Sequence, residues 1–136
     1  NQVTICNGTA LGGHVVVEDS VFMSGQCAVH QFVRIGKLAM IGACIMITQD
    51  IPPFMLLAWG KSGISTLNHV GLRRAGLSEH IRSDLKKALV YLYHSGLNTT
   101  HALEEIESHC DSEEAKHLVH FIRHSKRGIL HGEKNS

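Results

Sequence analysis

A six-residue repeat runs through the first third of the chain and constrains its fold more than any other feature. Written from Ile5, the sequence divides into eight consecutive blocks: ICNGTA, LGGHVV, VEDSVF, MSGQCA, VHQFVR, IGKLAM, IGACIM and ITQDIP. Every block opens with an apolar residue, the fifth position is small or aliphatic, and the second is mostly small or glycine. A helical period or a simple alternation fits far fewer positions.

This period predicts a solenoid of short strands, in which the first position points inward and like positions stack to bury one continuous core. The second position is expected near a corner, where glycine tolerates unusual backbone angles. The pattern resembles the hexapeptide-repeat, left-handed parallel β-helix with three blocks per coil, and the handedness is taken from that resemblance. Residues 18 apart then stack, so His14 and His30 fall on the same side of adjacent coils. Cys27 occupies an inward position and is expected in the core.

The repeat is expected to end at Pro52 and Pro53, which cannot donate ladder hydrogen bonds. We therefore predict a β-helix over residues 1–53 and a connecting loop over 54–77. Its part from 59 to 76 is spaced by glycines and predicts a connection without a regular element.

A small three-helix domain is predicted over residues 78–136. Ser78 is a candidate N-cap for a helix that reaches about His94, and a second helix is expected near residues 100–110. A third begins at 111–112, because the acidic Glu113 and Glu114 favour a first helical turn.

Composition excludes several classes of protein. The net charge is +1 and aromatic residues make up 5%, so neither a broad nucleic-acid surface nor a base-stacking platform is indicated. Four cysteines without a CxxC pair fit a reduced, cytoplasmic setting. No apolar run approaches the roughly 20 residues of a membrane-spanning helix.

The eight blocks make fewer than three coils. A solenoid that opens within a coil leaves an unpaired strand edge, which natural proteins avoid. The chain also begins at Asn1 without a methionine. We therefore expect it to be the C-terminal part of a longer β-helix protein.

Four stretches in a fixed order carry a closer resemblance: LGGHV at 11–15, AVHQFVRIG at 28–36, QDIPPF at 49–54 and NHVGLRRAG at 68–76. With three helices after them, the chain resembles the UDP-N-acetylglucosamine O-acyltransferase family over about residues 3–130. The hexapeptides alone identify only a superfamily, whereas these motifs are more specific.

The resemblance implies transfer of a fatty acyl group from acyl carrier protein, where phosphopantetheine bears it, to the 3-hydroxyl of UDP-N-acetylglucosamine in lipid A biosynthesis. It implies a homotrimer with sites between subunits, and no cofactor or metal. The family's general base is a histidine one coil before the GGHV motif. That position lies upstream of Asn1, so the chain alone is predicted to be inactive.

The resemblance also assigns roles within this chain. The backbone N–H of Gly13 would donate to the thioester oxyanion, and His14 would orient and bind the substrate. His30 and Gln31 would line the cleft for the sugar and the acyl chain. Asn68 and Arg74 would hold the nucleotide, Arg74 as a phosphate partner, and Ala43 would stand where the family gauges acyl-chain length.

Three other functions stay open. One is the sister N-acyltransferase on the same fold, and another is a trimeric hexapeptide zinc enzyme with His14 and His30 as ligands across an interface. The third is a non-catalytic trimerisation scaffold. His117, His120 and His124 have a spacing that can place ligands on one helix face, but no cysteine motif accompanies them, and no metal site is predicted. Two basic pairs are expected to be solvated, where they could attract the acidic carrier protein: Lys86 with Lys87, and Lys126 with Arg127.

Overall fold

The computed structural model describes residues 2–133, so position 1 of the predicted β-helix and positions 134–136 of the predicted helical domain lie outside the described residues. The strands are β1 Thr4–Ile5, β2 Ala10–Leu11, β3 Val16–Val17, β4 Phe22–Met23, β5 Ala28–Val29, β6 Arg34–Ile35, β7 Met40–Ile41, β8 Met46–Ile47, β9 Met55–Leu57 and β10 Thr66–Leu67. The helices are α1 His69–Arg74, α2 Glu79–Tyr93, α3 Thr99–His109 and α4 Glu113–Arg123.

The first eight strands wind into a left-handed parallel solenoid, which confirms the predicted fold class. The first face contains β1, β4 and β7, the second face contains β2, β5 and β8, and the third face contains β3 and β6. The register is 18 residues per coil, since Leu11 pairs with Val29 and Val29 pairs with Ile47.

The core lies inside this prism and continues under the helices. Met23, Ile35 and Ile41 at first positions are fully buried, as is Cys27 at a fifth position, as predicted. The first coil is different, because only one of its sides is stacked on another coil, and Ile5 remains 39% exposed.

The glycines at second positions serve a different purpose from the one predicted. The left-handed backbone angles fall at the fourth position of the blocks, for example at His14 (φ 58°) and Phe32 (φ 66°). A Cβ on Gly12 would instead lie 2.5 Å from the backbone nitrogen of Gln31, and one on Gly42 would lie 2.4 Å from that of Trp59. Glycine is required there because the next coil leaves no room for a side chain.

The prediction of a connection without regular structure over residues 59–76 is wrong. After the two prolines, β9 pairs in parallel with β7 and extends the first face. Strand β10 then pairs antiparallel with β9, and α1 follows at once. The helix forms because Asn68 caps it: its side-chain oxygen accepts from the N–H of Gly71 at 3.1 Å.

The three predicted helices of the C-terminal region are confirmed as α2, α3 and α4, with α1 as an additional helix before them. Ser78, Asn98 and Ser112 cap them through side-chain oxygens that accept backbone N–H groups. Among the described residues, no helix combines the length and apolar character needed to cross a membrane.

After α4 the chain returns along the solenoid as a segment we call the C-terminal strap (residues 125–132). The N–H of Asp50 donates to the carbonyl of Gly128 at 3.0 Å, and the carbonyl of Asp50 accepts from the N–H of Leu130 at 2.8 Å. The buried carboxylate of Asp50 also accepts from the N–H of Arg34 at 2.8 Å and from the Ser125 hydroxyl at 2.6 Å. Three of these hydrogen bonds fix the strap to Asp50 on the last coil, and the fourth, from Arg34, joins Asp50 to the neighbouring coil.

Candidate active site

The predicted site residues divide between different corners of the prism. Gly13, His14, His30 and Gln31 lie on adjacent coils at the turn between the second and third faces, which we call the histidine corner. This placement agrees with the stacking that the repeat predicts, because Gly13 and Gln31 occupy the same position of their blocks, one coil apart.

Gly13 offers a backbone N–H that is free to bind a ligand. Its carbonyl accepts from the N–H of Phe32 at 2.9 Å, but its own N–H donates to no described residue. A Cβ built on Gly13 would find no heavy atom within 4 Å, so the space in front of it is open. An exposed donor beside open space has the geometry that a developing oxyanion needs.

His14 is held beside this donor by its backbone and by a stacked ring. Its left-handed conformation turns the chain at the corner, and its imidazole lies parallel to the ring of Phe32, with centroids 5.0 Å apart and planes 4° apart. Both residues are exposed. Phe32 was not predicted as a site residue, although its spacing of 18 from His14 would have indicated the contact.

His30 and Gln31 are tied to the C-terminal strap by Arg127. The guanidinium lies 3.2 Å from the Nδ1 atom of His30 and donates to the carbonyls of Gln31 and Thr48, both at 3.1 Å. Arg127 is exposed, as expected, but the sequence did not predict that its guanidinium also contacts the solenoid. Its partner His30 lies 97 residues earlier in the chain, and no local sequence signal indicates this contact.

Asn68 and Arg74 lie at another corner, in a cavity of about 530 Å³ between α1 and the first face. Asn68 is 6% exposed, and its amide donates to the carbonyl of Leu38 at 2.9 Å while its oxygen caps α1. Arg74 makes no hydrogen bond or ion pair with any described residue, so its charge is available to an anionic ligand. The cavity wall is completed by Ser20, Phe22, Leu38, Met40, Leu56, Thr66, Leu67, His69, Val70 and Gly71.

Ala43 lies at a third corner, between the first and second faces, where it stacks in register with Gly25 one coil earlier. It is half-buried and lines neither the histidine corner nor the cavity beside α1. Within one subunit, the three groups of predicted residues therefore remain separate.

The helical histidines have other partners. The Nε2 atom of His117 lies 3.0 Å from a carboxylate oxygen of Glu18, which attaches α4 to the solenoid. The rings of His120 and His124 contact each other, with centroids 4.1 Å apart.

Among the described residues, the one group close enough to share a metal ion is His80, Asp84 and Asp111, whose ligand atoms lie within 4.8 Å of one another. The sequence did not indicate this group, because Asp111 lies 27 positions after Asp84. Asp84 is buried and accepts from the N–H of Ser112 at 3.1 Å, while His80 and Asp111 form an exposed pair at 3.3 Å. These contacts join α2 to the start of α4 and do not reach the histidine corner.

Comparison with known proteins connects this arrangement to a family. The family model described as UDP N-acetylglucosamine O-acyltransferase, domain 2, matches residues 50–130. A curated relative from Gloeothece citriformis, named acyl-[acyl-carrier-protein]–UDP-N-acetylglucosamine O-acyltransferase, is 40% identical over 98% of this chain and 50% of its own length. One with the same name from Nautilia profundicola is 40% identical over 98% of this chain and 52% of its own length.

Solved structures give the same result. The UDP-N-acetylglucosamine acyltransferase of Francisella novicida superposes with a TM-score of 0.87 at 30% identity, covering 95% of this chain and 48% of that one. The enzyme of that name from Arabidopsis superposes with a TM-score of 0.87 at 32% identity, covering 96% of this chain and 49% of that one. The chain thus spans about half the length of its relatives. With the family model matching 81 of the 136 residues, the chain belongs to the UDP-N-acetylglucosamine O-acyltransferase family.

Proposed function

We propose that the protein to which this chain belongs transfers a fatty acyl group from acyl carrier protein to the 3-hydroxyl of UDP-N-acetylglucosamine, in the cytoplasm and as the first step of lipid A biosynthesis. The observation that carries the proposal is the free, exposed N–H of Gly13 beside His14, with open space in front of it. A thioester carbonyl placed there would gain an oxyanion donor, and the missing side chain lets it approach closely.

The nucleotide would bind at the cavity beside α1. Arg74 would pair with a phosphate through charge-assisted hydrogen bonds, while Asn68 shapes the wall by holding the start of α1. In a single subunit this cavity and the histidine corner lie at different corners. We propose that a homotrimer brings one subunit's corner to its neighbour's cavity, with Ala43 bordering the acyl chain.

The general base would come from a coil that packs on the first coil described here. The inward residues Ile5 and Leu11 are 39% and 44% exposed, and a further coil would bury them. We propose a direct transfer, which uses a base, an oxyanion donor and binding groups. Such a transfer involves no covalent enzyme intermediate and no cofactor apart from the carrier's phosphopantetheine.

The test is an acyl-transfer assay with acyl carrier protein thioester and UDP-N-acetylglucosamine, analysed by mass spectrometry. The protein extended upstream by its preceding coils should form the 3-O-acyl product, and the 136-residue chain alone should form none. Turnover by the chain alone would refute the placement of the base. Faster acylation of the 3-amino analogue would instead favour the sister N-acyltransferase.

Arg74 provides a matched pair of variants. In the extended protein, Arg74→Gln should raise KM for the sugar nucleotide about ten- to a hundredfold, the effect of losing a charge-assisted hydrogen bond. Arg73→Gln removes a neighbouring arginine that does not line the cavity and should change KM less than about twofold. Equal effects of the two substitutions would contradict the nucleotide site.

The zinc enzyme is disfavoured by one contact. The Nδ1 atom of His30 faces the Arg127 guanidinium at 3.2 Å, and a cation at this position repels a metal ion. Zinc retained at the histidine corner after dialysis would reverse this conclusion.

A further inference from the structure

The side chain of Arg127, on the C-terminal strap, contacts the histidine corner. Arg127 uses three nitrogens: Nε donates to the carbonyl of Thr48, Nη1 donates to the carbonyl of Gln31, and Nη2 faces the Nδ1 atom of His30. Thr48 and His30 lie 18 residues apart, so the guanidinium spans two stacked coils. The strap that carries it is itself fixed to Asp50.

The position of the proton on His30 follows from this contact. A guanidinium only donates hydrogen bonds, so Nδ1 must accept, and the proton of the neutral ring is then on Nε2. The carbonyl of Gln31 also lies 3.2 Å from Nδ1, but it is an acceptor and would favour a proton on Nδ1. Arg127 decides between these two states, because it donates both to Nδ1 and to that carbonyl.

We infer that Arg127 is a positioning residue that fixes His30 as a hydrogen-bond donor at the histidine corner. The Nε2 atom of His30 has no partner among the described residues, so its N–H is available to a ligand. A donor at this position fits a carbonyl, hydroxyl or phosphate oxygen of a bound substrate. That substrate role rests on the proposed function, whereas the orientation and the proton position follow from the geometry alone.

The inference makes the loss of Arg127 informative. Without the guanidinium, the partner of Nδ1 that remains among residues 2–133 is the carbonyl of Gln31, which stabilises a proton on Nδ1. His30 would then present a bare Nε2 lone pair to the ligand and change from donor to acceptor. A purely structural arginine would affect stability without inverting the tautomer.

The experiment is long-range ¹H–¹⁵N correlation of the histidine rings in the ¹⁵N-labelled chain at pH 8, where an ordinary imidazole is neutral. His30→Gln identifies the ring by the signals that disappear. Unaltered His30 should show the proton on Nε2. Arg127→Gln should move the tautomer ratio toward Nδ1–H by about fivefold or more, which corresponds to one net hydrogen bond. Arg123→Gln is the control, since Arg123 pairs with Glu107 and should leave His30 unchanged.

A proton on Nδ1 in the unaltered chain would overturn the inference, and that measurement needs no variant to fold. An unchanged ratio in Arg127→Gln would also overturn it. Addition of UDP-N-acetylglucosamine is a separate arm that should shift the Nε2–H signal of His30. If the tautomer behaves as expected but the sugar nucleotide causes no shift, the substrate role fails and the positioning role of Arg127 stands.

Discussion

Gly12 and Gly13 are neighbours in the chain, yet the structure predicts different outcomes when each is replaced by alanine. A Cβ on Gly12 would lie 2.5 Å from the backbone nitrogen and 2.8 Å from the Cα of Gln31 on the next coil. A Cβ on Gly13 would meet no heavy atom within 4 Å. The two substitutions add the same methyl group, so the difference between their free energies of unfolding shows how little space the next coil leaves beside Gly12.

The cost at Gly12 is set by what would have to move. The clashing atoms belong to the backbone, and the two coils are joined on either side by hydrogen bonds of 2.8 Å from Gly12 to Val29 and 2.9 Å from Phe32 to Gly13. Overpacking of this kind costs about 1–3 kcal/mol. At Gly13 alanine fits, and the reduced freedom of the unfolded chain changes stability by about 0.4–1 kcal/mol in the favourable direction.

The measurement is thermal and urea unfolding of the chain and both variants at one protein concentration, because any association shifts the midpoint. Gly12→Ala should lower Tm by about 5–10 °C, whereas Gly13→Ala should leave it unchanged or slightly higher. In the extended protein, Gly13→Ala should still reduce kcat, since the methyl group occupies the space proposed for the thioester. Equal Tm values for the two variants would refute the spatial role assigned to the glycine at the second position.

Three other predictions follow from buried polar groups and thiols. Asp50→Ala should destabilise the chain by about 2–3 kcal/mol in urea unfolding, since both carboxylate partners lose a charged acceptor, and a change under 0.5 kcal/mol would contradict this. Burial raises the pKa of Tyr93 above its ordinary value near 10, so the folded state holds this proton more tightly than the unfolded state. The contribution of Tyr93 to the free energy of unfolding should therefore be fully present below about pH 10 and fall as the pH rises further. Tyr93→Phe should flatten that fall, and the control Tyr91→Phe should not. Iodoacetamide should modify the exposed Cys6 and Cys44 quickly and the buried Cys27 and Cys110 slowly, as followed by mass spectrometry. Burial protects the slow pair and also raises the pKa of the Cys110 thiol.

The candidate site was predictable where it depends on the repeat. The register of 18 residues places His14 and His30 on adjacent coils, and this follows from counting blocks. Arg127 was not predictable, because it reaches His30 through a strap that returns only after three helices have packed. The separation of the α1 cavity from the histidine corner likewise depends on how α1 folds back beside the first face.

The sequence by itself determined the solenoid and its register, because a strand repeat gives the same strand pairing in every coil. It also indicated which positions point inward, although Ile5 and Leu11 on the first coil remain partly exposed. It also determined where α2 and α4 begin, since Ser78 and Ser112 cap them locally. Only the tertiary structure decided why Gly12 and Gly42 must be glycine, where α1 lies and which side chain faces the Nδ1 atom of His30. Those features depend on distances between backbones and side chains far apart in sequence, and no local pattern encodes such distances.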